Sequence, residues 1–391
     1  MRQLTLAAFL LLLLVPVRAT AQETLVLPIP ADVIAAGPPP RPVMADGRLR
    51  LLYELRITNF GSKRPMELTR LEVLGDGVLI ASYASEALDT LIMTVGPADQ
   101  VSPARLVGAG RTVIVFLDLV LPPGQAAPRE LRHRVFVLEP GVGRAEIVDQ
   151  PSLAVTPAPP PVIRPPLRGA GWVAAFGLSD RNNHRRSLVT VDGRTWLSSR
   201  FAVDWVRLGR DGRFFDGDPS VNSSSYDYGA EVLAVGGGRV VGLKDGIPDN
   251  AGINRERAVP MTVDTIPGNS LILDLGHGVY AAYDHLQPRS FRVRLGQRVK
   301  PGEVLARLGN SGNAMAPHLH FQLMDRPAHI TAEGVPYELD EFTQLGSAAG
   351  VRSLLTGQSW SAGSAAPVVH HREFPGDNAV VSFHPEPAEP R

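Results

Sequence analysis

Apolar and polar residues alternate along several short segments in the first half of the chain. The segment "LLYELRITNF", residues 51–60, has this alternation, and "RTVIVFLDLVL" and "RHRVFVLEP" are β-branched and aromatic runs with turns such as "LPPGQAAP" between them. A period of two residues is typical of a β-strand with one buried face. Short strands at this spacing predict an antiparallel, β-sandwich-like accessory domain over residues 46–152. Its histidine, His133, lies between two arginines and is predicted to face solvent.

The second half contains further short β runs that are interrupted by glycine. These runs are "GGGRVVGL", "NSLILDLGHGVYAAYDHL" and "VLARLGNSGNAMAPHLHFQL", and they predict a second antiparallel β domain over residues 170–345. The Gly-His-Gly sequence around His277 is predicted to cap a hairpin. The whole chain is therefore expected to be all-β.

Proline marks the boundary between the two predicted domains. The stretch 153–169 contains "VTPAPPPVIRPPLRG", which is too rich in proline for a helix or a central strand and predicts a semi-rigid linker. Residues 346–391 are rich in Gly, Ser, Ala and Pro and are predicted to form a largely disordered, low-complexity tail, although "VVSFHPEP" has the pattern of one last strand. Three histidines of this tail are therefore not expected to bind metal: His370, His371 and His384.

The amino terminus has the features of a secretory signal peptide. Residues 1–21 combine Arg2, an apolar run too short for a comfortable membrane span, and an Ala-Thr-Ala cleavage site. A Pro- and Ala-rich extended lead-in follows at 22–45. We therefore expect an exported protein with no stable membrane span after cleavage, and the periplasm is favoured over the medium because no wall-binding repeat is recognised.

Composition and charge narrow the function further. The chain has 391 residues, 44% hydrophobic residues, a formal net charge of +0 and no cysteine. The balanced charge argues against a nucleic-acid-binding protein, which needs a basic surface. Without cysteines the chain has neither disulfides nor a lipoprotein anchor.

Histidines and a carboxylate that suit metal chemistry occur in the second half. In "AMAPHLHFQL", His318 and His320 are two residues apart and would share one face of a strand. His184, Asp204 and His285 lie upstream. Imidazoles and a carboxylate with one position left for water are the ligands of a catalytic zinc site, where the ion activates water and polarises a carbonyl.

The motifs around these residues resemble a known family. The element "YDHL", followed by "VRLGQRVKPGEVLARLGNSGNAMAPHLHFQL" and preceded by "YGAEVLAVGGGRVVGL", is similar to the lysostaphin-type (LytM-like) zinc metallopeptidases of family M23, over about residues 184–327. The resemblance implies an antiparallel β fold with its site in a groove across the sheet. It also implies bound Zn²⁺ and cleavage of peptide cross-links or stem peptides in bacterial peptidoglycan.

Site residues follow from the resemblance motif by motif. His320 and Asp204 correspond to zinc ligands, and His318 and His285 correspond to the two histidines that assist the water and the oxyanion. The chain departs from the family at Arg200, where the family has a histidine ligand four residues before the aspartate. A guanidinium has no lone pair to give to zinc.

Two hypotheses follow from that departure. In the first, His184 supplies the missing ligand from beyond a predicted hairpin, and the protein is an active endopeptidase. In the second, the site is degenerate, and the domain binds cell wall or regulates another wall hydrolase. The intact His285, His318 and His320 favour the enzyme. A lipoyl-type half-barrel is disfavoured because no lysine lies at a hairpin tip.

Other residues are expected to have structural roles or to line the groove. The insert 244–269 is predicted to form one wall of the groove, because a long loop between two strands is usually functional. Asn269 is expected to bond its own turn, Tyr226 and Tyr228 to pack a turn, and His329 to lie outside the site. The accessory domain is expected to bind or position, with another envelope protein as one possible partner.

Overall fold

The structure is a computed structural model, and it describes residues 28–96, 103–179, 181–253, 256–364 and 366–383. The predicted signal peptide, residues 22–27 of the lead-in and His384 lie outside these ranges. The described residues are almost all in strands and loops. Among them, no helix is both long enough and apolar enough to cross a membrane.

The first half of the chain forms two antiparallel sheets and one short helix, α1 (Ser85–Leu91). Its strands are β1 (Ala31–Ala36), β2 (Val43–Ala45), β3 (Arg48–Asn59), β4 (Met66–Gly75), β5 (Val78–Ala84), β6 (Ile92–Thr94), β7 (Leu106–Val107), β8 (Thr112–Val120), β9 (Glu130–Glu139), β10 (Arg144–Asp149) and β11 (Leu153–Ala154). One sheet has the order β1-β3-β8-β6 with β2 on β3, and the other has the order β10-β9-β4-β5 with β7 on β4 and β11 on β9. Both sheets contribute to one apolar core, which includes Leu55, Val73 and Val115. This arrangement is the predicted sandwich, and the lead-in adds two paired strands to it.

His133 is buried, so the prediction that it faces solvent was wrong. On β9 the exposed Arg132 and Arg134 alternate with the buried Leu131, His133 and Val135. The strand period therefore places the histidine on the core face, between two apolar neighbours. There its Nε2 lies 2.7 Å from the hydroxyl oxygen of Tyr53, which gives the buried ring a polar partner.

The second half is organised around one large sheet. Its strands are β12 (Val162–Ile163), β13 (Ala170–Ala175), β14 (Val189–Val191), β15 (Arg194–Trp196), β16 (Val203–Arg207), β17 (Glu231–Leu233), β18 (Gly238–Lys244), β19 (Asn269–Gly276), β20 (Val279–Leu286), β21 (Arg298–Val299), β22 (Val304–Arg307), β23 (Leu319–Met324), β24 (Gly334–Val335), β25 (Glu338–Ser347), β26 (Val368–Glu373) and β27 (Ala379–Ser382). Its helices are α2 (Val351–Leu355) and two 3-10 turns at Ser198–Phe201 and Asn222–Ser224. The sheet order is β12-β25-β27-β13-β16-β23-β20-β19-β18-β21, with β24 on β23 and β26 on β25.

Every strand pair of this large sheet is antiparallel except β12 with β25. The hairpins β14-β15 and β17-β22 form separate small sheets. Large side chains such as Trp205, Tyr283 and Phe321 are completely buried in the core of the large sheet. His277 lies at the β19–β20 turn with a positive φ of 54°, which agrees with the predicted hairpin cap.

The tail that was predicted to be largely disordered contributes two strands to this sheet. The prediction was wrong for β26, whereas β27 is the one last strand that the pattern of "VVSFHPEP" allowed. β27 lies between β13 and β25, and Val380 and Val381 on it are completely buried. β26 pairs with β25, where the ring of His370 stacks on Phe342 at 4.9 Å between centroids. The Gly- and Ser-rich residues lie in the connection between β25 and β26. The short apolar run of β27 has the pattern of a buried strand.

The proline-rich segment lies against the second half instead of spanning free solvent. β12 within it pairs with β25, and Ile163 and Leu167 are buried in the core of the large sheet. Leu52 of β3 belongs to that same core. The two halves therefore share apolar contacts, while the exact domain boundaries stay a prediction.

Candidate active site

Three neighbouring strands place acidic and imidazole side chains in one row. In the sheet register, Asp204 of β16 pairs with His320 of β23, and His320 pairs with Asp284 of β20. Residues that are directly opposite each other on adjacent strands share a face of the sheet. His318 precedes β23 by one residue and lies on the same side of the sheet as His320, as the His-x-His spacing predicts.

Asp204 is the centre of the site. Its Oδ1 lies 2.9 Å from Nδ1 of His320 and 3.5 Å from Nε2 of His318, and its Oδ2 lies 3.3 Å from Nε2 of His184. His184, Asp204 and His320 each offer one ligand atom, and these atoms lie within 4.8 Å of one another. The structure thus brings the upstream His184 to the two ligands that the family motifs indicate.

His184 reaches the site from the loop between β13 and β14. Its Nδ1–H donates to the carbonyl oxygen of Ala202 at 3.3 Å, and its ring lies against Phe176 at 4.9 Å between centroids. Because that hydrogen bond uses Nδ1–H, Nε2 is the ring nitrogen that faces Asp204. This is the arrangement of a ligand imidazole whose second nitrogen is held by a carbonyl.

A left-handed residue at the end of β20 places His285 in the site. Its φ is 63°, so the strand alternation breaks after Asp284, and its Nδ1–H donates to the carbonyl oxygen of Ser311 at 2.8 Å. The ring centroid of His285 lies 4.7 Å from that of His318. His318 in turn donates its Nδ1–H to the carbonyl oxygen of Ala316 at 2.9 Å. In both rings the backbone carbonyl uses Nδ1–H, which leaves Nε2 as the nitrogen without a backbone partner.

Burial and the close charges shift the pKa values of the site. Burial opposes ionisation of Asp204, but the charges and hydrogen bonds of His184 and His318 hold its pKa well below the usual range. Burial, together with the charges of His318 and His320, lowers the pKa of His285 to about 3, so this ring is neutral at pH 7. Burial would also lower the pKa of His320, but the hydrogen bond to Asp204 raises it to about 9.

Arg200 does not point at Asp204. Its Nε donates to Glu54 Oε1 at 3.1 Å, and its Nη2 donates to Glu54 Oε2 at 2.9 Å and lies 3.0 Å from Oε2 of Glu333. The side chain is buried in the 3-10 turn before β16. The guanidinium is therefore held by two carboxylates, and the side chains that contact Asp204 are histidines.

Two side chains that border the site were not predicted from the sequence. Gln322 is buried, and its Oε1 accepts a hydrogen bond from His320 Nε2 at 2.9 Å. Asp284 is buried beside His320 and lies 2.8 Å from Nδ1 of His329. His329 thus borders the site through Asp284, although it was predicted to lie outside. The spacing of Gln322, two residues after His320 on one strand, was the available signal.

The insert after β18 is fastened to the segment that precedes the His-x-His strand. The side chain of Asn250 donates to the carbonyl oxygens of Gly312 and Ala314, both at 2.9 Å, and Asp249 Oδ1 accepts from the backbone N–H of Asn310 at 2.8 Å. The hydroxyl of Tyr228 donates to Asp249 at 2.8 Å. The insert therefore supports the backbone around Ser311, which holds His285.

Asn269 bonds the insert and β20 instead of its own turn. Its Nδ2 donates to the carbonyl oxygens of Ile247 and Leu286 at 2.7 and 3.1 Å, and its Oδ1 accepts from the N–H of Ile247 at 2.8 Å. The sequence-based expectation was wrong, because the partners come from distant parts of the chain. Asn269 thereby ties the start of the insert to the end of the strand that carries His285.

The donor set fits a divalent cation such as zinc. Two imidazoles and a carboxylate are ordinary zinc ligands, and three protein ligands are the number found in catalytic sites. A bound cation could take the place of the hydrogen bond between Asp204 and His320, because metal ligands give up their protons when they bind.

Comparison with known proteins agrees with the sequence motifs. The model of peptidase family M23 matches residues 223–332, a range that includes His285, His318 and His320 and leaves out His184 and Asp204. A glycyl-glycine endopeptidase of Staphylococcus capitis, ALE-1, is 34% identical over 104 residues, which are 25% of this chain and 28% of that protein. The chain thus spans little more than a quarter of that relative's length.

The comparison with solved structures finds matches whose TM-scores are low. The catalytic domain of lysostaphin from Staphylococcus simulans is 22% identical, with 32% of this chain and 86% of that chain covered and a TM-score of 0.20. A putative peptidase M23 from Pseudomonas aeruginosa is 14% identical, with 69% and 87% covered and a TM-score of 0.24. The family match and the curated relative confirm the motif resemblance: residues 223–332 of this chain match the model of peptidase family M23.

Proposed function

We propose that the protein is an exported zinc metalloendopeptidase that cleaves peptide cross-links or stem peptides of bacterial peptidoglycan. The observation that carries this proposal is the convergence of His184, His318 and His320 on the two oxygens of Asp204. The family match also supports this proposal, and so does the relative ALE-1, which is named as a glycyl-glycine endopeptidase.

In this proposal, His184, Asp204 and His320 hold the zinc ion. When bound, zinc supplies Lewis acidity, which lowers the pKa of water and polarises a substrate carbonyl. Asp204 contributes a carboxylate that stays ionised, and Gln322 keeps the ring of His320 oriented through its Nε2–H. Arg200 takes no part in metal binding and serves the packing of the segment before Asp204.

His285 and His318 carry the proton chemistry. Each ring has its Nδ1–H committed to a carbonyl oxygen, so each can accept the proton of the attacking water at Nε2. Once protonated there, an imidazolium donates a hydrogen bond to the oxyanion that develops on the scissile carbonyl. The two rings lie next to each other and can divide these tasks.

The experiment uses purified peptidoglycan and the zinc-loaded mature protein. We expect one zinc per chain and release of new amino groups from the peptidoglycan, and a chelator should stop that release. The variant His371→Ala, whose side chain is exposed on β26, is the matched histidine control and should keep full activity. Zinc binding without any release of amino groups would contradict the proposal.

A non-catalytic role is the second candidate, and Arg200 is the observation that favours it. A domain that lacks the usual histidine at that position would bind cell wall or regulate another hydrolase with the accessory domain as partner surface. Such a protein would co-sediment with peptidoglycan equally well in the presence and absence of chelator.

A further inference from the structure

The first half of the chain presents one sheet face to the second half. On β3, Leu51, Tyr53 and Leu55 point into the sandwich core, while Leu52 and Glu54 point the other way. Leu52 packs in the core of the large sheet, and Glu54 is 2% exposed. The back of this sheet is therefore covered by the second half.

Apolar residues of both halves surround that contact. Ile114 and Phe116 of β8 form a buried cluster with Leu197, and the partly buried Met93 and Leu188 pack against it. Leu188 and Leu197 flank the β14–β15 hairpin, which lies between His184 and Asp204 in the sequence. The sheet of the first half therefore lies under the segment that carries a proposed zinc ligand.

Glu54 connects both ends of that segment. Arg200 donates to both of its carboxylate oxygens, at 3.1 and 2.9 Å, and Arg185 forms a second ion pair with Oε1. Arg185 is completely buried and also donates to the carbonyl oxygens of Tyr53 and Leu117, at 3.0 and 3.3 Å. Buried charges of this kind hold their geometry because breaking one pair leaves the other partner uncompensated.

In the sequence, the two arginines lie close to two residues of the proposed metal site, His184 and Asp204. Arg185 is the residue after His184. Arg200 lies two residues before Ala202, whose carbonyl oxygen accepts the Nδ1–H of His184. The carboxylate of Glu54 thus binds the residue next to His184. It also binds the 3-10 turn that precedes Ala202, the hydrogen-bond acceptor of the His184 ring.

We propose that Glu54 is a positioning residue of the metal site and that the first half of the chain is needed to build that site. Through Arg185 and Arg200, Glu54 fixes the segment that brings His184 to Asp204. This inference rests on the proposed function, because it assigns His184 to the zinc ligands. It gives the sandwich a role within the enzyme instead of one as an independent binding module.

The test measures zinc affinity of the full mature chain by competition with a chromophoric chelator. Glu54→Gln keeps the size of the side chain and removes the charge that holds both arginines. Arg185→Met is a second variant, which keeps Glu54 paired with Arg200 and removes only the ion pair next to His184. For both, we expect zinc binding to weaken by about 10- to 100-fold, the usual effect of losing support behind a ligand.

Val73→Ala is the matched control, because Val73 is completely buried in the sandwich core on the other sheet. It destabilises the first half without touching Glu54, and it should leave zinc affinity unchanged. The visible spectrum of the cobalt(II)-substituted protein gives a readout of ligand geometry, and it should change in Glu54→Gln and not in Val73→Ala.

Wild-type zinc affinity and an unchanged cobalt spectrum in Glu54→Gln and Arg185→Met would overturn the inference, and so would an equal loss of affinity in Val73→Ala. These outcomes leave the peptidase proposal intact. Conversely, a wild-type protein that binds zinc but releases no amino groups would overturn the proposed reaction and not the role of Glu54. A wild-type protein that binds no zinc would overturn both.

Discussion

His184 Nε2 lies 3.3 Å from Oδ2 of Asp204, although the β14–β15 hairpin separates the two residues along the chain. In this way a residue outside the matched family range brings an imidazole to Asp204, while Arg200 is paired with Glu54 and Glu333. The contact leads to the first prediction.

Replacement of His184 by alanine should weaken zinc binding and reduce peptidoglycan hydrolysis together. Loss of a direct ligand should cost at least the roughly 10- to 100-fold in affinity that is typical of losing a partner behind a ligand. Zinc content after dialysis and amino-group release measure the two effects, with His371→Ala as the control. Full zinc content and activity in His184→Ala would show that the ligand set is different.

His285→Ala and His318→Ala should separate chemistry from metal binding. Because neither ring belongs to the proposed ligand set, both variants should keep zinc near the wild-type level. Their hydrolysis rates should fall by about 10²- to 10⁴-fold, the usual range for a lost general acid or base. Steady-state rates with zinc-loaded protein measure this, and loss of zinc from either variant would assign that histidine to the ligands instead.

Gln322→Ala should weaken zinc binding because His320 loses the acceptor for its Nε2–H. We expect a change of about 10-fold, at the low end for residues that orient a ligand. The exposed Gln358 provides a control variant, Gln358→Ala, with no expected effect. If Gln322→Ala binds zinc as tightly as the wild type, its hydrogen bond is not needed to orient the ligand.

Shortening the insert should change substrate preference more than stability. We expect that deletion of residues 255–264 leaves Asn250 and its bonds to Gly312 and Ala314 in place, so the site backbone keeps its support. Relative rates on different cross-link peptides and the thermal unfolding midpoint measure the two properties. A deletion variant that fails to fold would show that the insert is a structural element and not a groove wall.

Acid should destabilise the first half of the chain through His133. Burial lowers the pKa of His133 to about 4, whereas an unfolded histidine titrates near its ordinary value. Between about pH 6.5 and 4 the unfolded chain binds a proton that the folded chain does not, so the free energy of unfolding falls as the pH falls. The full loss is about 3 kcal/mol.

Hydrogen exchange of the β9 amides measures this local stability as a function of pH. The variant His133→Gln keeps a polar partner for Tyr53 and removes the titration, so its stability should be less sensitive to pH across that window. His371→Gln, on an exposed position, should behave like the wild type. An equal pH dependence in His133→Gln would contradict the assignment.

Local sequence patterns were sufficient for most of the strands and for naming residues that the structure brings together around Asp204. Alternation predicted the sandwich and the shared face of His318 and His320, and the family motifs indicated Asp204 and His285. These signals are local because strand period and short motifs are read within a few residues. The residues that complete the site depend on contacts between distant segments, and His184 was found only by looking for a substitute for the missing ligand.

The wrong and missed predictions likewise concern residues whose surroundings come from distant segments of the chain. His133 lies between two arginines in the sequence. The strand period nevertheless places its side chain on the buried face, in a core that strands from distant parts of the chain complete. Glu54 looks like an ordinary polar residue of a half-buried strand, because Arg185 and Arg200 reach it only after the two halves associate. The left-handed backbone of His285 likewise has no sequence signal of its own.

The position of β27 in the middle of the large sheet has a consequence for biogenesis. The facing edges of β13 and β25 stay open until residues 379–382 have paired with both strands. Pairing between such distant segments is slow because a long loop must close first. Closure of this part of the sheet is therefore expected to follow formation of the local hairpins, and until then the open edges of β13 and β25 can pair with other chains.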